Sequence, residues 1–542
     1  MAISNLSITL LGFYFIGIFS ILASIASSIN PICNLTPYPT FCESNLPPND
    51  NGDIHEHGKF FIGKSYSSSK KFFSLVSNNL KSSSNFSNPT ILALQDCHLL
   101  GDLNNGFWSR ALKKINSTNN PSTLEVENLH TLISATLTNL ETCLGGLKQT
   151  TSNIDDELLT HLSNGTKLYS VSLAIFKSGW KNNTKNPRKL REVNHYYHMW
   201  EQRLYELISR SGRKLLQSAP DGVNVRQVVV VNQDGSGDFI TINDAVAAAP
   251  NNSVSSNGFS VIHVVAGVYE EIVSIPKYKQ YLMMIGDGIN QTIITGNQSV
   301  VGGSTTFNSA TFAVVAQGFV AVNITFRNTA GAINHQAVAL RSGADLSAFY
   351  SCSFEGYQDT LYTHSLRQFY RNCDIYGTID FIFGNAAVVL QQCNIFLRLP
   401  LHGQFNAITA QGRVDINQNT GTSIHNCSIT AADDLAASND TTQSYLGRPW
   451  KQYSRTIYMQ NFMDSLINPL GWKEWSGDFA LDTLYYAEFD NEGPGADTSN
   501  RVTWSGYHVI NNTDANDFTV SNFIFGDAWL PITGVPYYGG LL

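Results

Sequence analysis

The sequence predicts two unlike halves: an all-α four-helix bundle over residues 30–210, then an all-β parallel solenoid over residues 220–542. Three observations lead there. At 542 residues the chain is too long for one ordinary core. Apolar residues recur at helical spacing in the first half, and that period disappears after Gln217. In the second half a short strand motif returns at intervals of about twenty residues, with no helical stretch between copies.

Residues 8–26 form an apolar run closing on Ala23, Ser24, Ala26, Ser27 and Ser28, which reads as a secretory signal peptide over residues 1–28. No Lys or Arg precedes the run, and its length also suits a signal anchor. A dozen Asn-X-Ser/Thr sequons follow, among them Asn34, Asn85, Asn116, Asn290 and Asn511, in keeping with export and glycosylation. Eight cysteines, an even number in an exported chain, suggest disulfides.

In the helical half, Leu129, Leu132, Ile133, Leu137, Leu140, Leu144 and Leu147 recur at three- and four-residue steps. Similar stripes run through residues 70–80, 90–115, 154–176 and 193–208. Antiparallel helices would bury them as a bundle. Cys33 and Cys42 are expected to clip the N-terminal hairpin, and Cys97 and Cys143 to staple two helices. Gly101-Asp-Leu-Asn-Asn-Gly106 is expected to interrupt the helix after Cys97. No acid–base cluster appears in this half, so it reads as a folding or binding module.

Residues 211–219 form a basic linker. Arg213-Lys214-Leu215-Leu216 suits a proteolytic maturation site, with an uncut linker as the alternative. Residues 1–216 carry 20 basic and 15 acidic side chains, and residues 217–542 carry 14 and 27. This sign difference favours docking of the halves, unless the two surfaces are separately solvated. The acidic half has no basic stripe, which argues against nucleic acid as a partner.

The strand motif fixes a register. Asn323-Ile-Thr-Phe326 is echoed by Ser351-Cys-Ser-Phe354, Asn372-Cys-Asp-Ile375, Gln392-Cys-Asn-Ile395 and Asn426-Cys-Ser-Ile429, with terminal residues 28, 21, 20 and 34 apart. Asp359 follows Cys352 by seven residues and Asp380 follows Cys373 by seven, so stacked coils would bring them side by side. Strand spacing then puts their backbones about 4.7–4.9 Å apart. Carboxylates that close do not both ionise readily near neutral pH, and they divide into an acid and a base or nucleophile. Stacked Asp residues also cap turns in solenoids, but aromatic and branched neighbours make these two costly to bury without a function. Gln358, and Gln336 one coil earlier, add amide donors.

These blocks carry a resemblance. Tyr357-Gln-Asp-Thr-Leu-Tyr362, Arg367-Gln-Phe-Tyr-Arg371 and Gly377-Thr-Ile-Asp-Phe-Ile-Phe-Gly-Asn-Ala-Ala387 closely resemble plant pectin methylesterases. So do Gly235-Ser-Gly-Asp-Phe239, Thr305-Thr-Phe-Asn-Ser-Ala-Thr311, Thr409-Ala-Gln-Gly-Arg413 and Leu446-Gly-Arg-Pro-Trp450. Residues 30–210 resemble the pectin methylesterase inhibitor domain. The resemblance implies a right-handed parallel β-helix and hydrolysis of the C6 methyl esters of homogalacturonan. It implies Asp380 as nucleophile, Asp359 as proton donor and acceptor, and Gln358 and Gln336 as stabilisers of the tetrahedral intermediate. It further implies Arg448 as the partner that keeps Asp380 ionised, Trp450 as a sugar-stacking residue and Thr306 as a substrate contact. Trp472 and Trp475 suit either the groove or the core.

No metal or cofactor is expected: His335 and His364 stand alone, without ligand spacing. Cys373 and Cys393, on neighbouring coils, fit the Cα separation of a disulfide, although Cys352 and Cys427 hold equivalent ladder positions. The expected partners are methyl-esterified homogalacturonan, separate inhibitor proteins and a subtilisin-like processing protease. The mature enzyme is expected to be a monomer in the cell wall. A β-helix glycosidase or lyase on pectin, or a latent zymogen or binding protein while uncleaved, remain the alternatives.

Overall fold

The computed structural model describes residues 30–47, 52–82, 86–118, 120–150, 156–181 and 223–542. The signal segment, the stripe at 193–208 and the Arg213-Lys214-Leu215-Leu216 site lie outside the described residues.

Four long helices form the N-terminal bundle: α1 (Ile54–Lys81), α2 (Asn88–Ser117), α3 (Thr123–Lys148) and α4 (Asp156–Phe176). Helix α1 starts where Asp53 accepts hydrogen bonds from the His55 and Glu56 backbones, and α3 where Ser122 and Glu125 form a capping box. Helices α1 and α3 each pack against both α2 and α4. Disulfides join Cys33 to Cys42 and Cys97 to Cys143, the latter tying α2 to α3.

Two helical expectations change. Helix α1 begins sixteen residues before the stripe at 70–80, because Gly58, Ser65 and Ser69 share its buried face there with His57, Phe61 and Ile62 and break the apolar pattern. Ser65 bonds Ser172 of α4 at 2.8 Å, and Gly58 leaves room for the Trp180 ring. Helix α2 runs unbroken through Gly101–Gly106. Gly101 lies close against Phe72 of α1, while Asn104 donates to the Thr136 carbonyl at 3.0 Å and accepts from Asn139 at 2.7 Å. Polar and small residues that look like a loop are helix-packing contacts.

From Val225 onward the chain coils into a parallel β-helix of three sheets with 11, 7 and 8 strands. Every strand pair is parallel, and successive coils stack beside one another. The sequence register holds residue for residue: Phe326 pairs with Phe354, Phe354 with Ile375, Ile375 with Ile395, and Ile395 with Ile429. The Asn, Ser or Gln that opens each motif turns the corner at positive φ, as at Asn323, Ser351, Asn372, Gln392 and Asn426. Inside, rings stack along the axis, with Phe349 on Tyr370 at 4.7 Å and Phe326 on Phe354 at 5.6 Å. The two apolar clusters that fill the β-helix draw every residue from positions 223–541. It therefore closes its core without the bundle.

The expected Cys373–Cys393 disulfide is a correction. Cys352, Cys373, Cys393 and Cys427 are free, buried thiols stacked on successive coils. In-register side chains on parallel coils leave the backbone side by side, whereas a disulfide needs them to converge. Each sulfur instead points at carbonyls, Cys373 at those of Arg371 (3.3 Å) and Phe349 (3.5 Å).

Candidate active site

Asp359 and Asp380 stand on neighbouring coils, immediately around the paired strands Leu361–Thr363 and Ile379–Gly384. The pairing of Leu361 with Ile382 carries Asp359 onto Asp380, and the Asp359 backbone N–H donates to the Ile379 carbonyl at 3.0 Å. Both adopt the left-handed backbone, with φ of 64° and 54°. For non-glycine residues this is strained, and such strain clusters at functional sites. At Asp380 the register with the next coil also slips, between Ile379 and Ile382. Bulges of this kind re-aim a side chain.

The two carboxyls are 8% and 5% exposed, so their charges are settled by neighbours. Arg448 grips Asp380 with two hydrogen bonds, Nε to Oδ1 at 2.8 Å and Nη2 to Oδ2 at 2.7 Å. Burial pushes the Asp380 carboxyl up, and Arg448 pulls it back toward ionisation. Among the described residues Asp359 has no such counter-ion in contact. Burial first, and the charge of Asp380 second, raise it well above the usual carboxylate range. The proton therefore belongs to Asp359 and the charge to Asp380.

Thr306, Gln336, Gln358, Asp359, Asp380, Arg448 and Trp450, the catalytic and substrate-binding residues expected from the sequence, line one groove. Trp450 stands half-buried beside Phe383 and Tyr362, which stack at 4.1 Å. The two ambiguous tryptophans separate. Trp475 covers the Arg448 guanidinium at 4.2 Å and lines the groove, whereas Trp472 is buried and donates to Glu488. Tyr362 and Phe383 in strands, and Phe307 in the short helix Phe307–Ser309, escaped the sequence reading because single aromatic residues look like core. Among the described residues no group of three or more His, Cys, Asp or Glu side chains could hold a metal ion.

The bundle forms the other wall of this groove. Asp96 of α2 and Thr138, Glu141, Thr142 and Gln149 from α3 and its end face the aspartates' side. The apolar core of the bundle runs on into Phe307, Val338, Tyr362, Phe383 and Ala410 of the groove. Polar bonds fasten the edges: Gln418 to the Ser134 carbonyl (2.9 Å), Asn385 to Thr138 (2.9 Å), Thr142 to His364 (2.9 Å) and His130 to the Asn417 carbonyl (2.8 Å). His364, buried at this seam and near Arg341, is pushed down to about 3 and stays neutral. The ion pairs across the seam, Asp102 with Lys277 and Glu141 with Lys451, put the acid on the bundle. The halves do dock, but local complementarity runs opposite to their net charges.

The pectinesterase family model matches residues 228–527, and the plant invertase/pectin methylesterase inhibitor model matches residues 27–175. A probable pectinesterase/pectinesterase inhibitor 20 of Arabidopsis thaliana is 53% identical, over 95% of this chain and 94% of its own. Pectinesterase 2 of Citrus sinensis is 52% identical over 83% and 82%. The solved pectin methylesterase from carrot is 56% identical and covers 60% of this chain and 100% of its own, with a TM-score of 0.57. The paired carboxyls thus lie in a known kind of enzyme: the chain belongs to the pectinesterase family, a carboxylic ester hydrolase of pectin methyl esters preceded by an inhibitor-type helical region.

Proposed function

We propose that this chain de-esterifies homogalacturonan through an acyl-enzyme on Asp380, and that its own helical bundle holds the groove shut until the linker is cut. The division of charge between Asp359 and Asp380, made by Arg448, carries the chemical half of this reading.

The Asp380 carboxylate attacks the C6 ester carbonyl. Negative charge develops on the carbonyl oxygen, toward which Gln336 and Gln358 direct amide N–H groups. The intermediate collapses by breaking the C–O bond to methoxide, and Asp359 supplies the proton that makes it methanol. Asp380 is left in an anhydride with the sugar acid. Asp359, now ionised, takes a proton from water while the hydroxide attacks the same carbon. Collapse of this second intermediate expels the Asp380 carboxylate and leaves a free galacturonic acid, with Asp359 protonated again. Trp450 offers an aromatic face to the sugar ring, and Thr306 a hydroxyl.

The enzyme acts outside the cell on wall pectin, with residues 1–28 as its export signal and Arg213-Lys214-Leu215-Leu216 as the site for a subtilisin-like protease. After maturation it works as a monomer and remains open to separate inhibitor proteins. Methanol release is the test: a chain beginning at Ser218 should turn over methylated pectin at least tenfold faster than the intact chain. Equal rates would end the masking idea. New reducing ends or unsaturated products without methanol would end the esterase mechanism.

A further inference from the structure

We propose that Thr305 and Asn308, backed by Arg341, form a carboxylate subsite beside the catalytic aspartates, which Asp96 of the bundle fills in the intact chain and a free galacturonate of the polymer fills in the open enzyme. The inference rests on the functional reading above and names a specificity for it.

Asp96 is 5% exposed, and each of its oxygens takes one hydrogen bond from the other half of the molecule. Thr305 Oγ1 donates to Oδ2 at 2.6 Å, and Asn308 Nδ2 donates to Oδ1 at 2.5 Å. Two donors, one for each oxygen, are how a site grasps a carboxylate. Both belong to the turn around the short helix Phe307–Ser309, whose Thr306 and Phe307 line the same groove as Asp359.

Arg341 lies behind this turn. It is 3% exposed, its guanidinium lies 3.4 Å from the centre of the Phe307 ring, and its Nε donates to the Phe307 carbonyl at 2.8 Å. Its Nη1 is buried and has no hydrogen-bond partner among the described residues. A buried guanidinium that is not fully bonded is costly unless an anion lies near it. Asp96 is the nearby carboxyl in the closed chain: the Arg341 charge opposes the rise that burial imposes on it, and Asp96 supports the charge on Arg341 when it is ionised.

Once the bundle leaves, the two donors and the charge behind them face the groove without Asp96. The ligand with matching chemistry is another carboxylate. Homogalacturonan presents one on each sugar already stripped of its methyl ester, and none on a methylated sugar. The subsite therefore favours polymer whose neighbouring sugars are already de-esterified, so one cleavage prepares the next.

Methanol release by a chain beginning at Ser218 tests this, with fully methylated and partly de-esterified homogalacturonan compared through kcat/KM. We expect a preference of about tenfold for the partly de-esterified polymer, mainly in KM, the scale of one charge-assisted contact. Asn308→Leu should bring the ratio close to one, and Asn308→Asp, nearly the same size, should invert it. A ratio unchanged in Asn308→Asp would overturn the subsite. In the intact chain, Asp96→Ala and Asn308→Leu should each raise methanol release, and together no further than the larger single effect. Fully additive effects would overturn the mimicry. Absence of methanol from both polymers would instead count against the esterase reading itself.

Discussion

Asp359 and Asp380 are chemically identical, and everything that distinguishes them comes from placement. The seven-residue offset from Cys352 and Cys373 made their pairing legible in the sequence. The left-handed backbone at both, and the register slip at Asp380, were not, because an Asp in αL has no spacing to betray it. Asp380→Asn should lower turnover by roughly 10⁴-fold, since the amide cannot attack, and Asp359→Asn by roughly 10²–10⁴-fold. Methanol assays on folded variants would check both, and substantial activity in Asp380→Asn would overturn the nucleophile. The working form has Asp359 protonated and Asp380 ionised, so activity falls as pH rises through the Asp359 value and as it falls through that of Asp380. Arg448→Met removes the charge that favours ionised Asp380. The acid limb of kcat/KM should then move to higher pH; an unmoved limb would mean that Arg448 does not set the charge.

At the scale of one coil, stacking in register explains both the successful and the failed expectations. Paired Phe and Ile positions were readable because the apolar motif repeats. The cysteines obey the same repeat, and that is why they do not bond: equivalent positions on parallel coils give parallel side chains. Native protein should therefore show no thiol accessible to a thiol reagent from Cys352, Cys373, Cys393 and Cys427, and unfolding without reductant should expose four. Two exposed thiols would mean that one pair is bridged after all. In α2, by contrast, Gly101–Gly106 misled because helix propensity is a weak prior beside packing. Gly101 answers to Phe72, and Asn104 to Asn139, neither of which is near in sequence.

For the whole molecule, what the sequence hid was how the halves meet. Net charge suggested a basic bundle on an acidic β-helix, but charges more than about 8–10 Å apart are screened, and the seam is decided by contacts. Its apolar part joins the bundle core to the groove aromatics, and Asp96 is an acid of the bundle enclosed within it. Burial raises the Asp96 carboxyl from 3.8 to about 7, against opposing effects of the Thr305 hydroxyl and Arg341. Arg341 and Tyr362 are the titratable groups whose charges couple to it across the seam. The docked form therefore holds the Asp96 proton more tightly than an undocked form with an exposed carboxyl. The Asp96 contribution to docking is at full strength below about 4, weakens as pH rises through the interval to about 7, and then levels off, while His364 and His130, held neutral at the seam, oppose docking as pH falls. With the linker cut, sedimentation or size exclusion should find the Asp96 contribution as a loss of association between pH 5 and pH 7, on top of the opposite effect of the seam histidines. Asp96→Asn, which carries no charge at any pH, should flatten that dependence. If wild type and variant separate over the same pH range, the proton that governs release is held elsewhere in the seam.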